Sequence, residues 1–323
     1  MGEIKPHYSE RQILADVVPL EIPYSIQCEP SQYCNLKCNY CMQSLIPQKN
    51  RHIMSREIFE TLCARIQVLG KLKQFNFAGW GEPLINMELP GMVRYLKQLA
   101  ITDNIAIITN GLLLMPSLSD ELVAAGVDHM RISVQGMTSE NYRLIGGKQY
   151  NPENLVKNIK YLYEHRGNCK VSVKVADISL DKESHKLFFE TFAPITNSCY
   201  IENIRPMFRE GDQDGKYISK YGIDHPPVKA CPMPFYMMSV TATGEIFPCC
   251  HYYKPITLGN IKTHSLKAAW ESKEMRDLWK MLLDGGRLSN HNYPVCRDCI
   301  MPDAILTPGD ELDEKAEEIR GRL

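Results

Sequence analysis

Three closely spaced cysteines carry the most specific chemistry in this sequence. Cys34, Cys38 and Cys41 form a C-x3-C-x2-C pattern within "SQYCNLKCNYCMQ", and Asn35 and Asn39 between them favour a loop. A zinc tetrahedron needs a fourth Cys or His, and none follows within reach, whereas an iron–sulfur cube held by three cysteines keeps one iron open to a small molecule. A zinc site completed from elsewhere in the chain and simple packing cysteines are the alternatives.

A second group of four cysteines lies towards the other end of the chain. Cys231, Cys249, Cys296 and Cys299 are separated by 18, 47 and 3 positions, so that the last two form a C-x2-C pair. Such a pair is typical of both zinc and iron–sulfur sites. Cys250 directly follows Cys249 and is either a spare thiol or an alternative ligand. The cysteines outside both groups are expected to be buried packing residues, namely Cys28, Cys63, Cys169 and Cys199.

Composition and charge are those of an ordinary globular protein. The 323 residues are 44% hydrophobic, and 37 basic side chains balance 38 acidic ones to a net charge of −1. This balance predicts neither nucleic acid nor an anionic membrane as a partner, and no apolar run approaches the roughly 18–20 residues that span a bilayer. The N-terminus lacks a signal-peptide pattern. We therefore expect a cytoplasmic protein whose reduced cysteines serve as metal ligands or in catalysis.

Candidate strands alternate with helical patterns through the first part of the chain. One helix has Ser55 as its N-cap and Gly70 as its stop, and another has Ser117 and Ser119 as cap candidates and stops at Gly126. Six strand–helix units predict an α/β protein with a partial (β/α)6 barrel, short of the eight units of a complete barrel. The candidate strands are Tyr24–Glu29, Gln74–Ala78, Ile105–Thr109, His129–Val134, Lys170–Ala176 and Tyr200–Arg205.

The sequence pattern changes after Pro206. A polar stretch rich in Gly and Pro is followed by "FYMMSVTATGEIFPCC", which predicts a hairpin turning at Thr243-Gly244, and by "SLKAAWESKEMRDLWKMLLDGG", which predicts one amphipathic helix. The predicted organisation is an N-terminal extension at 1–22, the barrel at 23–205, a linker or lid at 206–228, a cysteine-bearing domain at 229–302 and a charged tail, forming a short or frayed helix, at 303–323.

The first cysteine group resembles that of the radical S-adenosylmethionine (SAM) enzymes. The likeness rests on Cys34, Cys38 and Cys41 in a loop after the first strand, with the aromatic Tyr40 before the third cysteine. It implies a [4Fe–4S] cluster whose open iron chelates the amino and carboxylate groups of SAM. One electron then cleaves the sulfonium and leaves a 5′-deoxyadenosyl radical that abstracts hydrogen from substrate. An external reductant such as flavodoxin or ferredoxin is implied as a partner.

A second stretch, "AGWGEPL", extends the resemblance to the end of the second strand. It is similar to the family's Gly-Gly-Glu-Pro segment, whose backbone holds the methionine amino group of SAM. On this likeness Gly79, Gly81, Glu82 and Pro83 contribute to SAM binding. Trp80 interrupts the glycine pair, which is a departure from the family's pattern and leaves the individual contacts open.

The ends of later strands carry weaker signals of the same kind. "ITNG" and "RISVQG" resemble the family's third and fourth strand ends, which implies that Asn110 lies at the SAM site and that Ser133 contacts the ribose. Gln135 stands where the family frequently has Asp. Three interpretations of Lys174 on the fifth strand are open. It could bind the SAM carboxylate, serve as a base, or be a solvated edge residue.

The second cysteine group resembles the SPASM/twitch auxiliary-cluster domain. "LGNIKTHSLKAAWES" strengthens that likeness, because a similar segment leading into a helix with Trp is common there. Complete SPASM domains carry more cysteines and two clusters. The four cysteines here imply one auxiliary [4Fe–4S] cluster held by Cys231, Cys249, Cys296 and Cys299, and two clusters in the whole chain. With every iron ligated by protein, electron transfer is the expected role of this cluster.

The resemblance leaves three reactions open. The favoured one is oxidation of a secondary alcohol on a sugar- or cyclitol-like small molecule, with the auxiliary cluster as electron acceptor, as in radical SAM dehydrogenases of aminocyclitol-antibiotic pathways. In the second, an epimerase, Cys250 donates a hydrogen atom to the substrate radical. Peptide maturation is disfavoured because only about 22 residues precede the first strand. A non-catalytic electron carrier would not need the Gly81-Glu82-Pro83 motif.

Overall fold

One eight-stranded sheet forms the frame of the protein. The structure is a computed structural model that describes residues 12–45, 50–204, 217–250 and 252–323. The strands follow the order β6-β5-β4-β3-β2-β1-β7-β8, and every neighbouring pair is parallel except β7 with β8. Their bounds are β1 Ser25–Cys28, β2 Gln74–Phe77, β3 Ile105–Thr109, β4 His129–Val134, β5 Lys170–Ala176, β6 Ser198–Glu202, β7 Met237–Val240 and β8 Ile246–Phe247.

Helices connect the parallel strands and cover one face of the sheet. Within the described residues none of them is long and apolar enough to cross a lipid bilayer. Their bounds are α1 Leu14–Val17, α2 Met42–Leu45, α3 Arg56–Leu69, α4 Leu89–Leu99, α5 Pro116–Ala125, α6 Ser139–Leu144, α7 Pro152–His165, α8 Lys182–Phe192, α9 Leu266–Trp270, α10 Lys273–Leu283, α11 Pro294–Asp298, α12 Met301–Ile305 and α13 Ala316–Gly321.

Local signals set most helix ends. Ser55 caps α3 by accepting a hydrogen bond from the backbone N–H of Ile58 at 3.3 Å, as predicted. The predicted serine caps of α5 are wrong. This helix begins one residue before Ser117, because Pro116 supplies a preset φ for the first helical position. The predicted single helix after Ser265 is two helices, since Ser272 caps a new one, α10.

The two faces of the sheet differ in polarity. Along β4, Met130 and Ile132 are fully buried, whereas Arg131 and Ser133 on the opposite face are only half-buried. Strands buried on both faces usually read as continuous apolar runs, so this alternation marks an inner face that borders a cavity. The predicted partial barrel is present, with its apolar residues under the helices and its polar residues inside.

Two features of the sheet differ from the sequence-based expectation. Strand β6 spans Ser198–Glu202 rather than Tyr200–Arg205, because its pairing with β5 begins at Ser198 and ends at Glu202; Arg205 lies outside the described residues. The predicted hairpin of β7 and β8 is present, but β7 also pairs in parallel with β1. The C-terminal region therefore extends the sheet of the barrel.

The two ends of the chain pack against each other. The backbone N–H of Leu14 donates to the carbonyl of Gly309 at 2.7 Å, and Asp16 forms an ion pair with Lys315. Leu312 and Ile319 are 1% and 0% exposed. Residues 303–323 form a docked segment with a short helix and do not project as a free tail.

We expect Phe59→Ala to lower the free energy of unfolding by about 3–5 kcal/mol, because the ring fills the layer between α3 and the sheet. Phe59 is fully buried, and its centroid lies 5.8 Å from that of Phe77 and 6.3 Å from that of Phe75. Urea unfolding followed by circular dichroism measures the change. Val68→Ala on the same helix is the control, since Val68 is 75% exposed. Equal losses from both changes would contradict this packing.

Candidate active site

The cysteine loop, residues 34–41, lies at the carboxyl end of β1 and is fixed from one side by the loop after α6. The backbone N–H of Lys37 donates to the carbonyl of Gly146 at 2.8 Å, and that of Asn39 donates to the carbonyl of Ile145 at 2.9 Å. These bonds hold the loop without any disulfide, since Cys34, Cys38 and Cys41 are all free thiols.

Two amide side chains from neighbouring strand ends contact this loop. Tyr40 donates its hydroxyl proton to Oε1 of Gln135 at 2.7 Å, and Sγ of Cys38 lies 3.4 Å from the same oxygen. Asn110 places its Nδ2 3.8 Å from Sγ of Cys34. Gln135 was not predicted as a site residue, although its position after β4 could have drawn attention to it.

The chemistry of the three thiols fits a cluster with one open iron. Burial, and after it the neighbouring Cys41 and Cys34, raise the pKa of Cys38 to about 12. Burial also raises the pKa values of Cys34 and Cys41. A cationic centre is therefore needed to bind these groups as thiolates. Within the described ranges no three His, Cys, Asp or Glu side chains are arranged around a single ion. Cys41 and Tyr40 border a cavity, so a small molecule has access to this side of the loop.

The Gly-Glu-Pro segment fixes the cysteine loop from the other side. A Cβ on Gly81 would lie 1.9 Å from the carbonyl oxygen of Ser31, so only glycine permits this approach. The carboxylate of Glu82 accepts hydrogen bonds from Thr109 Oγ1 at 2.5 Å and from the backbone N–H of Asn110 at 2.7 Å. Glu82 is 2% exposed and is therefore a connector between strand ends, with its side-chain oxygens already occupied.

The residues around Glu82 have different surroundings. Gly79 is exposed, and a Cβ there would lie 2.6 Å from Cγ of Glu29. The carboxylate oxygen Oε1 of Glu29 accepts a hydrogen bond from the backbone N–H of Trp80 at 3.0 Å. The indole Nε1 of Trp80 is buried and has no protein partner among the described residues. Pro83 is buried and opens a single 3₁₀ turn, Pro83–Ile85. A free donor next to the cysteine loop is suited to a bound cofactor or substrate.

A cavity of about 320 Å³ opens over the inner face of the sheet. It brings together four of the predicted residues, Tyr40, Cys41, Ser133 and Lys174, with Trp80. The other predicted SAM-binding residues do not line this cavity, namely Gly79, Gly81, Glu82, Pro83 and Asn110. The remaining lining residues are Val134, Val175, Ala176, Glu202, Asn203, Ile204, Lys220, Met301, Ala304 and Ile305.

Lys174 points into this cavity and is not a solvated edge residue. Its Nζ lies 2.7 Å from Oε2 of Glu202, and Nζ of Lys220 lies 2.9 Å from Oε1 of the same carboxylate. Burial raises the pKa of Glu202, but the two ammonium groups outweigh this effect and hold it at about 2. Glu202 and Lys220 were not predicted, because neither belongs to a recognisable motif.

The second cysteine group forms a separate small cavity. Cys231, Cys249, Cys296 and Cys299 all line a space of about 30 Å³, and Cys250 does not. Burial raises the pKa values of Cys231, Cys296 and Cys299, and that of Cys296 reaches about 12. Four thiols around one void fit a fully ligated cluster, with Cys249 rather than Cys250 as the ligand.

A buried arginine was missed at this second cavity. Arg287 is 1% exposed and donates from Nη1 to the carbonyl of Cys299 at 2.7 Å and from Nη2 to Oδ2 of Asp303 at 3.0 Å. Its guanidinium lines the cavity beside the four thiols. A cation in this position offsets part of the negative charge that thiolate ligands bring.

Cys250 faces a different environment from Cys249. Burial and the neighbouring Cys249 raise the pKa of Cys250, the ammonium groups of Lys254 and Lys220 lower it, and the net value is about 11. Cys250 lines neither the large cavity nor the four-cysteine cavity. Met301 lines both the large cavity and the four-cysteine cavity.

The fold and the two cysteine sites define a radical SAM barrel followed by an iron–sulfur domain. The Radical SAM superfamily model matches residues 28–176, and the model of SPASM, an iron–sulfur cluster-binding domain, matches residues 231–300. The chain therefore belongs to the radical SAM superfamily and carries a C-terminal SPASM domain, as the sequence predicted. Its cofactors are [4Fe–4S] clusters and SAM.

Proteins similar over most of the chain carry different names and bound molecules. The chain is 25% identical to the tungsten-containing aldehyde ferredoxin oxidoreductase cofactor-modifying protein of Pyrococcus furiosus, over 85% of this chain and 87% of that protein. A crystal structure of BtrN in complex with AdoMet and 2-DOIA has a TM-score of 0.60 at 19% identity, covering 86% of this chain and 93% of BtrN. A crystal structure of Streptococcus suis SuiB bound to precursor peptide SuiA has a TM-score of 0.62 at 16% identity, covering 81% of this chain and 67% of SuiB. The structural likenesses establish the fold.

We expect the reconstituted protein to bind about eight irons, four in each of two cubes. Replacing Cys34, Cys38 and Cys41 with Ala should remove about half of this iron and abolish SAM cleavage, because the open cluster loses all of its ligands. Replacing Cys296 and Cys299 should remove the other half. Iron analysis and electron paramagnetic resonance measure both effects.

Cys199→Ala is the control for the iron measurement. Cys199 lies on β6 and is fully buried. The other predicted packing cysteines are buried as well, namely Cys28, Cys63 and, at 3% exposure, Cys169. The variant should retain the iron content of the parent protein. Zinc in the C-terminal site, with one cluster detected by spectroscopy, would contradict the assignment of two clusters.

Proposed function

We propose that this protein is a radical SAM dehydrogenase that oxidises a secondary alcohol of a sugar- or cyclitol-like molecule to a ketone. Met301 is the observation that carries this proposal. It lines the cavity beside the cysteine loop and also the cavity of the four C-terminal cysteines, so one residue borders both spaces. A substrate in the first cavity thus lies close to an electron acceptor in the second.

The proposed oxidation removes one hydrogen atom, one proton and one electron from the carbinol group. When bound, SAM and its cluster supply the radical that takes the hydrogen atom, an external reductant such as flavodoxin or ferredoxin supplies the electron for SAM cleavage, and the auxiliary cluster accepts the electron from substrate. The remaining work falls to the protein. Residues of β4–β6 and α12 line the cavity and would surround the reacting carbon on these sides.

Particular side chains orient the reactants in this proposal. Tyr40 and Gln135 hold the cysteine loop, and Ser133 places a hydroxyl on the cavity wall. Lys174 is fixed by Glu202 and presents an ammonium to the cavity, where it can donate to a carboxylate or to a substrate oxygen. Tyr40, Gln135 and Lys174 are each held by a partner before any ligand binds.

A specific observation also favours epimerisation as a second candidate. Cys250 lies outside the four-cysteine cavity and is close enough to Lys220 for their charges to interact. A thiol facing the substrate can return a hydrogen atom to the opposite face of a carbon radical and invert its configuration. Peptide modification is supported only by the fold shared with SuiB.

Anaerobic incubation with SAM, reductant and candidate alcohols tests the proposal. The yield of 5′-deoxyadenosine and the mass of the substrate are followed together by liquid chromatography and mass spectrometry. A dehydrogenase lowers the substrate mass by about two units for each 5′-deoxyadenosine formed, because two hydrogens leave. Uptake of solvent deuterium with no other mass change would establish the epimerase instead.

Cys250→Ala separates the two reactions. If the protein is a dehydrogenase, the variant should keep its iron and most of its turnover, because the electron leaves through the cluster held by the other four cysteines. Cys63→Ala, at a buried packing cysteine on α3, is the matched control. A Cys250→Ala protein that forms 5′-deoxyadenosine but no product would reverse the order of the two candidates.

A further inference from the structure

Among the described residues, the charged side chains that line the large cavity carry a net positive charge. Among the described residues that line this cavity, Glu202 is the one acid, and Lys174 and Lys220 are both bases. The side chains of the two lysines are 23% and 25% exposed, and that of Glu202 is 10% exposed. Two ammonium groups and one carboxylate leave one positive charge among these described residues, and a partly buried positive charge favours a counter-ion.

Each lysine has hydrogen-bond donors to spare. An ammonium group carries three N–H bonds. Lys174 and Lys220 share one acceptor within the described parts of the chain. Both Nζ atoms contact the carboxylate of Glu202 there. The remaining N–H bonds of both groups are available to an oxyanion.

The backbone fixes Lys220 before any ligand binds. Its N–H donates to the carbonyl of Ala304 in α12 at 2.7 Å, and its carbonyl accepts from the N–H of Asn203 at 2.9 Å. The segment from Tyr217 is thereby pinned between the end of β6 and the C-terminal domain. Such preorganisation lowers the entropic cost of binding a ligand.

The sequence positions of two residues of this cluster point to substrate rather than to SAM. The radical SAM model ends at residue 176 and the SPASM model begins at residue 231. Glu202 and Lys220 fall between the two matched regions, whereas Lys174 lies within the first. Residues common to SAM-binding barrels lie in the first region. Residues between the two regions, such as Glu202 and Lys220, are therefore suited to recognise the substrate, which differs among radical SAM enzymes.

We propose that Lys220 and Lys174, held in place by Glu202, form an anion subsite for the substrate, which therefore carries a phosphate or carboxylate group. This inference rests on the proposed function, because it places the substrate in the same cavity. It also narrows the substrate class: a substrate whose only charge is an ammonium group would be repelled by this wall, whereas a sugar phosphate or sugar acid would be attracted.

Binding of inorganic phosphate tests the subsite without requiring turnover. The cluster-loaded enzyme is saturated with SAM under anaerobic conditions, and radiolabelled phosphate is measured by equilibrium dialysis at constant ionic strength. We expect saturable binding that persists with SAM bound. Lys220→Gln should weaken it by about tenfold or more, as expected for loss of one hydrogen bond to a charged group, and Lys220→Arg should retain it.

Glu202→Gln distinguishes an anion subsite from a purely structural cluster. Removing the carboxylate raises the charge of the wall from one to two, so phosphate should bind more tightly, opposite to the effect of Lys220→Gln. If both changes weakened phosphate binding equally, the cluster would be structural and the proposal would be wrong. Lys186→Gln is the control, since Lys186 is 81% exposed on α8 and should leave binding unchanged. Circular dichroism and iron content confirm that each variant is folded.

The source of the anion is settled by the same experiment. If SAM displaces phosphate, and Lys220→Gln weakens SAM binding tenfold, the subsite holds the carboxylate of SAM and the assignment to substrate is overturned. Absence of saturable phosphate binding overturns it as well. Because the measurement is binding, an enzyme that holds phosphate beside SAM but oxidises no alcohol would reject the proposed reaction and retain the subsite.

Discussion

A buried carboxylate ties together the three loops on which the candidate active site depends. The carboxylate of Glu82 accepts hydrogen bonds from Thr109 and Asn110 at the end of β3, and its backbone N–H donates to the carbonyl of Tyr33, directly before the cysteine loop, at 2.7 Å. Burial raises the pKa of Glu82, while these hydrogen bonds lower it. A carboxylate is suited to this position because it accepts from every side, whereas an amide would direct N–H groups at other donors. The motif thus has a structural role beyond any contact with SAM.

Much of the fold follows from local sequence. The predicted bounds of β3, β4 and β5 match the structure, because β-branched runs between clear helix signals leave little choice of register. The errors arise where distant pairing decides. β6 begins at Ser198 because β5 offers its pairing edge there, and β7 joins β1 although some 200 residues separate them. Neither partner is visible in a local window of sequence.

The candidate site divides in the same way. The cysteines and the Gly-Glu-Pro segment are recognisable because each needs a fixed local spacing, and a Cβ on Gly81 would overlap the backbone of Ser31. The cavity wall has no such signature. Glu202 ends β6 and Lys220 follows a polar linker, and they meet only because the sheet and α12 bring them together. Residues of this kind are found from topology and not from motifs.

This division also separates what the chain shares with its superfamily from what distinguishes it. The matched regions contain the two cysteine sites, which a family model can describe because cluster ligation constrains them. The intervening region supplies Glu202 and Lys220, whose charges face the cavity, and α12 beyond the second region supplies Met301 between the two cavities. Relatives that share the clusters can therefore differ in substrate through a few side chains at the cavity wall. In the proposed anion subsite two ammonium groups share one carboxylate, so charge at this wall would favour an anion over a neutral analogue of the same size.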